Sequence, residues 1–228
     1  TTRAQLAEVA VAARGWARLN PDAFMRDPLT LEQVTGARMV CDPLTVRDCC
    51  LMTDGAGAIV MVAADRAKDH PRKPVYFLGG SPAISHRQIS QMPDLTVTAA
   101  VESGERAFAM AGLEPADVDV AEIYDAFSIN TILALEDLGF CPKGEGGRFV
   151  EGGRIGPGGA FPVNTNGGGL SCVHPGMYGI FLLVEAATQL RGDAGERQVA
   201  GAEVALCNGN GGTLSSQVTV LLGTGSTL

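Results

Sequence analysis

The chain has 228 residues, 46% of them hydrophobic and 18% charged, and a formal charge of −8. It is long enough to bury a sizeable core and too apolar for a disordered chain. The acidic balance speaks against nucleic acid as a main partner, and no apolar run approaches the roughly 20 residues of a membrane-spanning helix.

Residues 2–18 place Leu6, Val9, Ala10, Ala13 and Trp16 near the helical period. A shorter helix is expected at 30–40, closed by Asp42-Pro43. The β-branched run at 57–63, after the turn in TDGAG, reads as a buried strand. Prolines and charges at 63–74 mark a boundary that divides the chain into 1–72 and 73–228. A strand restarts at 75–78. After a loop of about 15 residues, a helix follows at about 96–110, ended by Gly112 and Pro115. Residues 118–124 form a strand candidate running into Asp125, which stands where it would N-cap the helix of Phe127, Ile132, Leu135 and Leu138. A glycine-rich loop covers 144–169, and a helix 178–190. Two strands, starting at Glu203 and Ser216 and joined by a glycine turn, close the chain. The alternation predicts an α/β layered fold with an antiparallel element at its end.

Thr1 in place of an initiator Met suggests a fragment or a processed product. The six cysteines form no CxxC pair and no dense disulfide framework, so reduced thiols in a cytoplasmic setting are expected. His70, His86 and His174 are scattered, and no metal constellation is expected.

Three glycine-rich turns each carry a reactive side chain at a strand or helix end: Tyr124 and Asp125 in IYDAF, His174 and Tyr178 in HPGMYG, Cys207 and Asn208 in CNGNGG. In α/β sheets ligands bind outside such strand ends. Each residue also has a plain structural reading. Either tyrosine can be a core or rim residue with a satisfied hydroxyl, His174 a turn cap, Cys207 an inert buried thiol, and Asp125 a helix cap.

The run AEIYDAFSINTILALEDLGF, then KGEGGRFVEGG, PVNTNGGGL, HPGMYG and CNGNGG, resembles the C-terminal half of the thiolase superfamily. It is most similar to the lipid-transfer-protein branch, which includes the sterol carrier protein x thiolases. TTRAQLAEVAVAARGWARLNP and CDPLTVRDCCLMTDGAGAIVM look like the later part of that family's N-terminal half. The resemblance implies a thiolase-like α/β fold of mixed sheets layered with helices. Two departures stand out. Nothing before Cys41 resembles the family's acyl-accepting cysteine motif, and tyrosines stand at 124 and 178, with Val173 before His174.

Both tyrosines are features of the lipid-transfer-protein-type aldolases that cleave steroid side chains held as CoA thioesters. The resemblance therefore implies retro-aldol cleavage of a β-hydroxyacyl-CoA by Tyr124 and Tyr178, with His174 as oxyanion donor. Cys207 stands where thiolases carry a second, proton-shuttling cysteine. Asn208, Gly209, Gly168 and Gly169 are the expected substrate-binding residues. No cofactor is implied beyond the CoA that the substrate carries. A homodimer and a small OB-fold partner protein are implied by family habit. Two rivals remain: a thiolase whose nucleophile lies upstream, and a non-catalytic acyl-CoA or lipid-binding scaffold.

Overall fold

A computed structural model describes residues 1–228. Helix α1 (Arg3–Arg18) starts on a capping box. Thr2 Oγ1 accepts from the Gln5 amide, and the Gln5 side chain accepts from the Thr2 amide. Its face of Leu6, Val9, Ala10, Ala13 and Trp16 is buried as the periodicity requires. Helix α2 (Leu31–Thr35) is shorter than expected. It stops at Gly36, and the chain turns into a small hairpin of β1 (Met39–Cys41) and β2 (Leu44–Thr45).

The main sheet holds β3 (Tyr76–Ile84), β4 (Val120–Ile123), β5 (Val204–Gly211) and β6 (Ser216–Gly223), in the order β3-β6-β5-β4. β4 runs parallel to β5, and the other pairs are antiparallel. β3 outruns its apolar start because its backbone pairs with β6 from Tyr76 to Ile84. Gly79 has no side chain where a Cβ would meet the Ala107 carbonyl, which lets α3 (Ala100–Ala111) lie close on the strand. Gly112 takes the left-handed conformation expected of it and ends α3.

Strand alternation sends side chains to two faces. Ala121, Ile123, Val204, Leu206 and Leu221 join the larger core with α1, α3 and α4 (Ser128–Asp137). Val120, Tyr124, Ala205 and Cys207 join a smaller one with Leu182, Ala186 and Leu190 of α7 (Gly179–Arg191). Two short helices, α5 (Gly146–Phe149) and α6 (Gly168–Ser171), break the region expected as one long loop.

Two expectations fail for physical reasons. Residues 57–63 form no strand: none of the backbone N–H groups of 54–63 donates to another backbone group, and Val60 and Met61 stand exposed. A β-branched run gains a strand only from a neighbour to pair with, and no strand of the chain lies beside this one. Asp125 does not cap α4 either. The N-cap position is Phe127, and the helix start is held from outside by Asp48, whose backbone oxygen accepts from the Ser128 amide and whose carboxylate accepts from Ser128 Oγ at 2.8 Å.

Candidate active site

Tyr124 leaves β4 towards α7, and Tyr178 sits just before α7 begins. The two rings meet edge to face with centroids 5.6 Å apart. His174 lies edge-on to Tyr124 at 5.4 Å and stacks near Tyr178 at 6.2 Å. Three side chains drawn from turns 50 residues apart thus form one cluster.

Each is anchored by hydrogen bonds of its backbone or its hydroxyl. The His174 amide donates to Thr53 Oγ1 at 2.9 Å, and the Thr53 amide donates back to the His174 carbonyl. Tyr124 Oη accepts from the Tyr178 amide at 3.3 Å and donates to the Gly176 carbonyl at 3.4 Å. Tyr178 Oη donates to Asn166 Oδ1 at 3.0 Å, and that oxygen also accepts from the Gly168 amide. Asn20, just past α1, donates from Nδ2 to the Asn166 carbonyl. Residues before position 73 therefore hold the site from behind.

The Asp125 carboxylate caps α6 instead of α4, accepting from the Gly169 and Leu170 amides at 2.6 and 3.3 Å. Gly168 (φ +66°) has to be glycine here, because a Cβ would run into that carboxylate. Gly169 lies against the His174 ring.

Burial dominates the electrostatics. It pushes the Tyr178 phenol well above its usual value, aided by Asp125, Glu122 and Cys172 nearby and opposed by the Asn166 bond. It pulls the His174 imidazole down, so the ring is neutral at pH 7. Asp125 is raised to about 7 by burial, against the pull of its two amide donors. His174 Nε2 is buried with no hydrogen-bond partner, an unspent donor or acceptor.

The other expected residues are placed differently. Cys207 is buried behind α7, its thiol raised far up by burial and by Glu122, with Sγ 3.5 Å from the Leu182 carbonyl. It is a protonated thiol. The Asn208 side chain points to the opposite face of the sheet and donates to Thr219 Oγ1, while its carbonyl accepts from the Tyr124 amide. Tyr124, Gly176, Cys207 and Gly209 line a cavity of about 590 Å3 with Leu182 and Val220. His174, Tyr178, Asn208, Gly168 and Gly169 do not. Reading of the sequence alone missed Asn166 and Glu122. Asn166 was marked by its place beside three glycines, and Glu122 by being a lone charge between apolar residues of a buried strand.

Residues 81–224 match the family described as thiolase C-terminal domain-like. An acetyl-CoA acetyltransferase of Methanothermobacter thermautotrophicus is 44% identical over 93% of this chain and 56% of its own length. A 17-hydroxy-3-oxo-4-pregnene-20-carboxyl-CoA lyase of Mycobacterium tuberculosis is 39% identical over 91% and 55%. The solved structure of an Ltp2-ChsH2(DUF35) aldolase superposes with a TM-score of 0.88 at 29% identity, over 98% of this chain and 59% of that one. The chain spans about half the length of the curated relatives it matches. No helix is long and apolar enough to cross a membrane. With a thiolase-like fold and a family match over well more than half its residues, the chain belongs to the thiolase superfamily.

Proposed function

We propose that this chain carries the proton-transfer site of a thiolase-fold carbon–carbon lyase, which cleaves a β-hydroxyacyl-CoA thioester with a steroid-derived side chain by a retro-aldol step. The observation that carries the reading is the pairing of Tyr124 and Tyr178 in edge contact beside a neutral His174 with a free Nε2. Tyr124, as the phenolate, takes the proton of the substrate hydroxyl. The bond between the β- and α-carbons breaks, its electron pair passes to the thioester, and a ketone leaves. His174 donates from Nε2 to the enolate oxygen. Tyr178, held protonated by burial, returns a proton to the α-carbon, and the proton on Tyr124 passes to Tyr178 to reset the pair. The Tyr178 amide, at the N-terminal end of α7, donates to Tyr124 Oη and stabilises the phenolate that serves as base. The step draws on no cofactor beyond the substrate's own CoA.

The lyase relative and the solved aldolase support this reading, and the latter's name supports a partner protein of the DUF35 type, where the resemblance implied a small OB-fold partner. We extend to this chain the same division, 1–72 and 73–228, and a homodimer. The 44% identical acetyltransferase favours acyl transfer as the second reading. That reading needs a nucleophile elsewhere, because Cys172 (raised to about 12) and Cys207 are held as thiols by burial.

The deciding experiment is Tyr178→Phe in the assembled enzyme. Removal of one hydroxyl costs about 1 kcal/mol of stability, while turnover of a β-hydroxyacyl-CoA falls by about 10²-fold or more. A large melting shift with unchanged turnover per folded molecule returns Tyr178 to the core. A stoichiometric acyl adduct in intact-mass spectra, required for turnover, moves the assignment to acyl transfer.

A further inference from the structure

Beneath the tyrosine pair lies a second polar cluster that the proposed chemistry does not use. Glu122 of β4 is fully buried and faces α7. Thr165 Oγ1 lies 2.8 Å from Glu122 Oε1 and 2.7 Å from Glu185 Oε1 of α7. It also accepts from Gln189 Nε2 at 2.9 Å. Arg197 grips Glu185 in a fork, Nε to Oε1 and Nη2 to Oε2, both at 3.0 Å.

A hydroxyl has one proton, so Thr165 can donate to only one of two carboxylates. Glu185 is the ionised one, since the guanidinium holds it. Thr165 therefore donates to Glu185, and the 2.8 Å contact with Glu122 requires the proton to come from Glu122. A second observation agrees. Glu122 Oε2 is buried with no partner at all. An unpaired carbonyl oxygen is tolerable in such a place, whereas an unpaired carboxylate oxygen costs several times more.

We propose that Glu122 is a neutral carboxylic acid whose O–H, donated in a hydrogen bond to Thr165 Oγ1, positions the loop that holds the Tyr178 hydroxyl. The link is short. Thr165 is followed by Asn166, whose Oδ1 accepts from Tyr178 Oη and from the Gly168 amide. It is preceded by Asn164, whose Oδ1 accepts from the Ile123 amide beside Glu122. The Thr165 amide also donates to Glu122 Oε1 at 3.3 Å. Titratable neighbours face Glu122 from several elements: Glu185 and Arg197 from α7 and the turn after it, Cys207 from β5, Asp125 past the end of β4, and Tyr178 across the loop. Glu185 and Asp125 both oppose its ionisation, in line with a carboxyl raised well above its usual value by burial. Loss of the proton would set two carboxylates against one hydroxyl and drive the loop off the strand.

This positioning role rests on the proposed function, but the protonation state does not, and one set of variants separates the two. Infrared difference spectra of the protein expressed from its full coding sequence are taken at pH 8.5, where Asp125 is ionised. A protonated-carboxyl C=O band present in the wild type and absent from Glu122→Gln is expected. No change in that band overturns the proposal whatever the protein catalyses. Glu122→Gln keeps a neutral donor towards Thr165, so turnover stays near wild type and the 13Cζ resonance of Tyr178 stays in place. Glu122→Met, of similar size and without a donor, shifts that resonance and lowers kcat by about 10²-fold at unchanged KM, the scale of a small misplacement at a reacting centre. If Gln fails as badly as Met, Glu122 acts as an anion and the proposal is wrong. A carboxyl band that behaves as expected in a protein without lyase activity leaves the protonation state standing and sinks the function instead.

Discussion

The two faces of the four-stranded sheet are built from the same alternating strands, yet they bury different things. Against α1, α3 and α4 lies the larger core, aliphatic almost throughout. Its polar chain of Ser103, Thr219 and Asn208 is neutral and hydrogen-bonded. Against α7 the apolar cluster is a third of the size and is shot through with Glu122, Glu185, Tyr124, Tyr178 and Cys207. Two of the three orphaned buried polar atoms, Glu122 Oε2 and His174 Nε2, belong to this face and its rim. Burying such groups costs stability, and the larger core is what offsets it. One face holds the chain together and the other positions proton donors.

The sharpest way to break this contrast is at Tyr124. Tyr124→Phe keeps the ring that packs in the smaller cluster and removes the hydroxyl proposed as base. Cleavage should fall by about 10³-fold or more, while binding of the thioester measured by calorimetry stays within a few fold. Equal losses in rate and affinity would make Tyr124 a packing residue, and the contrast between faces would lose its chemical meaning.

His174→Ala should cost about 10²- to 10³-fold in turnover, the scale of one oxyanion donor. An enolate-mimicking inhibitor should weaken far more than the substrate, because the interaction grows as charge develops. Equal weakening of both ligands would reduce His174 to a wall of the pocket.

The opposite face gives the complementary test. Leu221→Ala deletes a fully buried side chain from β6 on the α3 side. Stability should drop by about 2–5 kcal/mol, with turnover per folded molecule unchanged below the melting transition. A parallel fall in turnover would mean that the two faces are mechanically one.

Features that depend on near neighbours were legible in the sequence. The α1 stripe, the Gly112 stop and the closing hairpin follow from local periodicity and turn chemistry. The glycine turns that carry Tyr124, His174 and Tyr178 were legible as turns, and the structure adds that they bring the three rings together. What was missed depends on distant partners. Residues 57–63 carry strand propensity but find no strand to pair with. Asp125 stands near α4 in the chain but reaches amides more than 40 residues away. Glu122 announced itself as a charge in an apolar strand, yet its protonation could be read only once Thr165, Glu185 and Arg197 were in place.

The subtlest test of the contrast is the pH dependence of stability, with Asp125 as the group that reports it. Burial raises this carboxyl from 3.8 to about 7, so the folded chain holds its proton more tightly than the unfolded chain. Its stabilising contribution is therefore fully present below about pH 4 and is lost as pH rises through about 7. His174 acts in the opposite sense. Its imidazole is pulled down on folding, so its contribution is present above the ordinary imidazole value and is lost at lower pH. Urea unfolding of the wild type between pH 5 and 8 contains both effects. Asp125→Asn cannot ionise, and it keeps an oxygen for the Gly169 amide while facing the Leu170 amide with a donor. Some stability is lost at every pH for that reason, so the slope rather than the level is the readout. Relative to wild type, the variant's stability should rise between pH 5 and 8, by on the order of a few kcal/mol at the upper end. Parallel curves for the two proteins would mean that Asp125 is an ordinary ionised cap of α6, and that the polar face carries its charges without strain.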